Sequence, residues 1–171
     1  MRTQNLKLQV ITISAIIFAL AIFRLLPHLP NVSPVAAMAL FGGAYFADKK
    51  LAFIVPFAAL LLSDLLLGLH NTMIFVYAGF AMTVIIGFMI KDRVSVTNTA
   101  FAVLASSVLF FLLTNFGAWM TSPLYTKTAE GLMQAYAAGI PFFQNSLIGN
   151  LVFAAIIFGG YHLLQKNVAA L

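Results

Sequence analysis

The 171 residues are 63% hydrophobic and only 8% charged, with a net charge of +5 and a mean hydropathy of +1.04. Soluble domains carry about 25% charged residues, so this chain cannot cover a water-facing surface and lipid must be its solvent. The absence of cysteine excludes disulfides, thiolate chemistry and a cysteine-based metal site.

A spanning helix needs about 20 apolar residues to cross about 30 Å of hydrocarbon. The first apolar run, residues 8–26, meets that length. Its basic lead and Ala19-Leu20-Ala21 also fit a cleaved signal peptide. The run continues past that site, however, and its removal would leave an odd number of spans, so a retained first span is expected. Next come Pro27, Pro30 and Pro34, which cannot continue a helix. The second run, residues 35–47, contains Gly42-Gly43 and is too short to cross unaided. The proline-rich stretch before it is therefore expected at membrane depth, buried in protein or lining a cavity. Such interrupted segments mark binding sites in transporters.

The third span, residues 51–69, carries Pro56 and Asp64. The fourth, 72–90, stops at Lys91-Asp92-Arg93. The fifth, 97–120, contains Ser106, Ser107, Thr114, Asn115 and Gly117. Residues 125–140, with Lys127, Glu130 and Gln134, are expected as the most polar external segment, with room for a short interfacial helix. The sixth span, 141–164, begins at Pro141 and contains Asn145, Asn150 and Gly159-Gly160. The predicted fold is all-α, a single domain of six transmembrane helices.

Seven of the nine Lys and Arg residues lie at every second junction between runs: Arg2, Lys7, Lys49, Lys50, Lys91, Arg93 and Lys166. Short basic loops stay in the cytoplasm. Both termini are therefore expected inside, in a multi-pass protein of a bacterial cytoplasmic membrane. The cations sit at span ends rather than in one patch, which argues against a nucleic-acid partner. Arg24 and Lys127 are the two exceptions.

The unusual polar residues gather toward the opposite, outer face. Asp64 is the one acidic residue inside a span. A mid-membrane Asp costs about 2.5–3.5 kcal/mol, so it needs a partner, and Arg24 is the obvious one. The pair reads either as a structural tie between helices or as a ligand-contacting, proton-sensitive site. His70 and His28 each offer an imidazole to a metal-containing ligand, or simply face water. No third ligand is evident, so no dedicated zinc site is expected. His162 reads as interfacial. Asn115, Asn145 and Asn150 read as interhelical hydrogen bonds, which average about 0.6 kcal/mol in membranes, with pocket lining as the other reading for Asn115 and Asn145. Trp119 with Tyr125 reads as an interfacial aromatic belt or as a stacking surface. Ala15 and Ala19 give the first span a small-residue face for close helix approach.

No catalytic set is legible. The chain lacks His-Glu-x-x-His, Gly-x-Ser-x-Gly, paired intramembrane carboxylates and a Walker motif. An enzyme is not expected, nor is a resident cofactor, and any ATP use would belong to a partner.

The stretch Leu29-Pro30-Asn31-Val32-Ser33-Pro34-Val35-Ala36-Ala37-Met38-Ala39-Leu40-Phe41-Gly42-Gly43-Ala44-Tyr45-Phe46 resembles the signature of a family of small, uncharacterised bacterial membrane proteins. Leu62-Ser63-Asp64, Thr114-Asn115-Phe116-Gly117-Ala118-Trp119 and Ile140-Pro141-Phe142-Phe143-Gln144-Asn145 resemble further blocks of that family. Its members are regarded as transport proteins, similar to the substrate-binding S-components of energy-coupling factor transporters. The resemblance implies an S-component-like bundle with a vitamin-type pocket opening outward. It also implies docking of an Ala-x-x-x-Ala face, here Ala15 and Ala19, on a transmembrane coupling subunit with ATPases. Some cobalamin-specific S-components bind cobalt through a cysteine. With no cysteine here, a cobalamin-like solute would need His70 or His28 in that role.

The leading expectation is capture of a small organic solute, a vitamin or cofactor precursor, from the outer side. Arg24, Asn31, Asp64, His70, Asn115, Trp119 and Asn145 are the expected pocket residues. Arg24 would supply charge-assisted donors, Asp64 and the amides orienting hydrogen bonds, and Trp119 a stacking face. The alternative is a non-transporting scaffold or assembly subunit, in which the same polar residues act as glue. It would hold a fixed partner and no solute.

Overall fold

The structure is a computed structural model describing residues 2–27 and 31–169, with side chains resolved from residue 6 to 166 within those limits. It is all-α. The helices are α1 (Arg2–Phe23), α2 (Val35–Tyr45), α3 (Lys49–Leu67), α4 (Met73–Ile90), α5 (Val96–Thr121) and α6 (Ala129–Ala169). A single 3-10 turn, Lys91–Arg93, joins α4 to α5. Five of the helices are long and apolar enough to cross a membrane. Their outer surfaces carry exposed Ile11, Ile54, Leu66, Ile74, Phe101 and Ile156, a distribution that suits lipid and not water.

The exception is α2, which has 11 residues and rises only about 16 Å at 1.5 Å per residue. It forms the centre of the bundle. Every residue from Ala36 to Ala44 is buried, and α2 packs against all five other helices. Small residues make this possible. A Cβ on Gly43 would fall 2.2 Å from the Val84 carbonyl oxygen, and one on Gly87 would fall 2.5 Å from that of Leu40. The α2 and α4 backbones therefore touch, which only glycine permits. Gly42 faces Pro56 of α3 with similar closeness. Pro56 lacks an N–H and so cannot bond the Ala52 carbonyl, which lies against the same Gly42 position.

The basic residues mark one end of the bundle. Lys91 Nζ donates to the carbonyls of Phe46 at 2.8 Å and Ala47 at 3.3 Å. It thereby satisfies and neutralises the C-terminal end of α2. Asp48 caps α3 by accepting from the Lys50 amide at 2.7 Å. Ser95 caps α5 by accepting from the Asn98 amide at 3.1 Å. Tyr161 of α6 stacks edge-on with Tyr45 at this end, centroids 4.5 Å apart.

The other end of α2 stops inside the bundle. Asn31, at φ +62°, adopts the left-handed conformation that Asn tolerates better than most residues. Its carbonyl accepts from Ser146 Oγ at 3.1 Å, and Val32 lies against Gly149. The described part of the proline-rich stretch is thus held against α6.

Two expectations about span boundaries need correction. α1 ends at Phe23, so Arg24 lies in a turn beyond the helix and not within a span running to residue 26. More substantially, residues 129–140 are continuous with the sixth helix and not a short helix of their own. α6 runs unbroken for 41 residues with Pro141 inside it, about 60 Å against about 30 Å of hydrocarbon. Pro141 is exposed, so its ring and the bond it forfeits face outward. The turns before it are pinned to α5: Tyr136 Oη donates to the Leu112 carbonyl at 3.0 Å, and Gly139 receives the Asn115 side chain.

Candidate functional site

The expected pocket residues divide into three groups. The first is a closed polar knot at the end of the bundle opposite the basic one. Arg24 Nη2 pairs with Asp64 Oδ1 at 2.8 Å. Tyr77 Oη donates to Asp64 Oδ2 at 3.0 Å. Arg24 Nη1 donates to Ser63 Oγ, which in turn donates to the Leu60 carbonyl at 2.8 Å. Asp64 is only 3% exposed. Both of its carboxylate oxygens are engaged, and α1, α3 and α4 are tied together by one charge pair.

The second group is superficial. His70 is exposed, and its Nδ1 lies 2.8 Å from the Thr72 hydroxyl at the start of α4. Trp119 Nε1 donates to the Thr126 carbonyl at 2.8 Å. Lys127 sits over the indole ring at 5.8 Å and donates to the Trp119 and Ser122 carbonyls. These contacts close the α5–α6 turn, so Trp119 is engaged locally. His28 lies outside the described residues. Among the described residues, no group of three or more His, Asp or Glu is placed to hold a metal.

The third group lines a cavity. α5 and α6 run antiparallel and face one another along a seam. The α5 residues on it include 96, 99, 103, 107, 110 and 114, at three- and four-residue steps, the spacing of one seam in a helix pair. In the half of the seam away from the basic end, a cavity of about 240 Å³ is bounded by Asn31, Ser107, Thr114, Asn115, Ser146 and Asn150. Phe110, Phe111, Gly139, Phe142 and Phe143 also line it, and among the described residues no ionisable side chain belongs to it. Of the seven expected residues, Asn31 and Asn115 reach this cavity; Asn145 lies on α6 without bounding it.

The polar atoms of the wall are unevenly satisfied. Asn115 Nδ2 donates to the Phe111 carbonyl at 2.8 Å, and Thr114 Oγ1 to that of Phe110 at 2.8 Å. Asn150 Nδ2 donates across the seam to Ser107 Oγ at 3.1 Å. Asn150 is 6% exposed, and its Oδ1 has no hydrogen-bond partner among the described residues. Ser33 Oγ, in the segment beside Gly149, is likewise buried and unpartnered. A buried acceptor without a donor is costly in an apolar medium, so the wall is suited to a polar occupant.

Sequence reasoning missed Ser107 and Asn150 as one unit. A signal existed: Thr99, Ser107 and Thr114 recur at seven- to eight-residue spacing on α5, which keeps them near one helix face. Ala15 and Ala19 are both exposed on the outer surface of α1, between the buried positions Ile13, Ile17 and Ala21.

Five long apolar helices around a buried short one define a polytopic membrane protein. Over residues 4–171 the chain matches a family described as a family of unknown function (DUF6580), and it belongs to that family. No curated protein and no solved structure matches it.

Proposed function

We propose that this protein is a substrate-binding transport component that captures a small, uncharged organic solute in the seam cavity between α5 and α6. The observation that carries the reading is the cavity wall itself, with amides, hydroxyls and four phenyl rings around the unpartnered Asn150 Oδ1. Hydrogen-bonding groups set in an aromatic wall are the usual make-up of a small-molecule site. Among the described residues the wall has no charge to pair with an ionised solute. Its volume of about 240 Å³ lies below the common range of about 300–1,000 Å³, which favours a compact heterocycle over a corrinoid.

Two further features agree. α2 is a short helix that begins at depth beside the cavity, the arrangement by which interrupted helices form transporter sites. The exposed Ala15 and Ala19 face would accept a coupling subunit, as in the S-components that the sequence resembles. The basic end would face the cytoplasm and the cavity the outside.

The second reading, a membrane scaffold, draws on the Arg24–Asp64–Tyr77 knot, which is self-sufficient and asks for no ligand. Mass spectrometry of small molecules extracted from the purified protein separates the two. Transport predicts one organic species near stoichiometric amount. A scaffold predicts none, with a partner protein held at fixed ratio.

A further inference from the structure

The half of the α5–α6 seam nearer the basic end holds a second, larger cavity of about 480 Å³. Its wall is mostly apolar, formed by Ala100 and Val103 of α5 and Leu151, Ala154 and Phe158 of α6. Ala100, Leu151 and Ala155 remain exposed, so this groove opens sideways from the bundle toward the bilayer. Ser95 and His162 stand at its basic mouth.

We infer that this groove binds one anionic phospholipid from the leaflet at the basic end, with an acyl chain in the groove and the phosphate at its mouth. Thr99 supplies the decisive observation. It lines the groove, is 8% exposed, and its Oγ1 has no partner among the described residues. A hydroxyl buried in apolar surroundings needs an acceptor. Thr99 lies one turn inside the Ser95 cap, about 6 Å deeper. Ester carbonyls sit at a comparable depth below a phospholipid's phosphate, and they accept without needing to donate.

Charge at the mouth selects the headgroup. Arg93 is exposed two residues before the Ser95 cap of α5, and its carbonyl accepts from Asn98 Nδ2 at 2.6 Å, which holds that turn against the first turn of α5. Lys166 is exposed four residues after His162, so the two share a helix face. Asp92 is the acidic neighbour, exposed between Lys91 and Arg93, and leaves the mouth net positive. Such cations draw anionic lipid.

The test titrates the detergent-purified protein with phosphatidylglycerol or phosphatidylcholine of equal chain length and reads retained lipid by native mass spectrometry. The wild type is expected to retain one phosphatidylglycerol in preference to phosphatidylcholine. Thr99→Val should weaken retention by about tenfold. Arg93→Gln and Lys166→Gln should each weaken it by about fivefold and erode the headgroup preference. Ala155→Trp should abolish it by filling the groove, with helix content and melting temperature of each variant checked in parallel. A photoreactive residue at position 100, read in native membranes, should gain the mass of a lipid. Equal retention of both lipids, full retention by a folded Ala155→Trp, or a crosslink to a second copy or another protein overturns the assignment.

Discussion

Arg24 and Asp64 face each other across 2.8 Å, one just beyond α1 and the other in the last turn of α3. Tyr77 of α4 takes the remaining carboxylate oxygen. Removing one partner strands a buried charge. Arg24→Ala or Asp64→Ala should therefore destabilise the protein by about 3–5 kcal/mol. The double variant Arg24→Met/Asp64→Leu should recover much of that loss, since an apolar pair avoids the desolvation cost. Thermal unfolding in one detergent checks both. If Asp64→Ala melts like the wild type, the pair is no tie.

Close packing around α2 makes a second prediction. Gly43→Ala and Gly87→Ala place a methyl group within 3 Å of the facing backbone, which can yield only by separating helices. Each should cost at least about 1–3 kcal/mol. Gly159→Ala and Gly160→Ala meet nothing within 4 Å and should be neutral or stabilising by about 0.5–1 kcal/mol. The contrast, read from melting temperatures, tests whether α2 is the packing centre.

How much of this was legible in the sequence depended on which coordinate was asked for. The limits of the helices were well encoded, because apolar runs end at charged or capping residues. α3, α4 and α5 begin and end within two residues of the expected spans. The depth of α2 was encoded by its prolines and glycines. Azimuth was not encoded. Asp64 and Asn115 both lie away from the basic end, yet one faces α1 and α4 and the other faces α6. Hydrophobic periodicity could not separate them, since lipid-facing and core-facing positions are equally apolar in a membrane bundle. Pro141 misled for a related reason. In water it would signal a helix start, whereas in lipid the helix is retained to keep neighbouring backbone groups bonded.

The continuity of α6 is itself testable. Pro141→Ala restores a backbone donor for the Ala137 carbonyl and should raise the melting temperature, stabilising the protein by up to about 3 kcal/mol. Were residues 125–140 a separate loop, the substitution would leave the melting temperature unchanged. Limited proteolysis of the wild type would then cut readily around that proline.

His70 and Trp119 lie off the seam cavity, engaged with Thr72 and Thr126. His70→Ala and Trp119→Phe should leave solute affinity within about twofold of the wild type, well inside one hydrogen bond's worth of binding energy. Trp119→Phe should still loosen the α5–α6 turn, seen as faster hydrogen exchange over residues 119–128. A tenfold loss of solute affinity in either variant would move the site away from the seam.

The affinity of the solute recovered from the purified wild-type protein, measured against variants of the cavity wall, is the most direct measurement. Thr114→Leu fills the cavity while removing only a bond within α5, and Asn150→Leu removes the unpartnered acceptor. Both should weaken binding by about tenfold or more, with helix content retained. Wild-type affinity in both variants, or no solute bound by the wild type at all, contradicts a binding site in the α5–α6 seam.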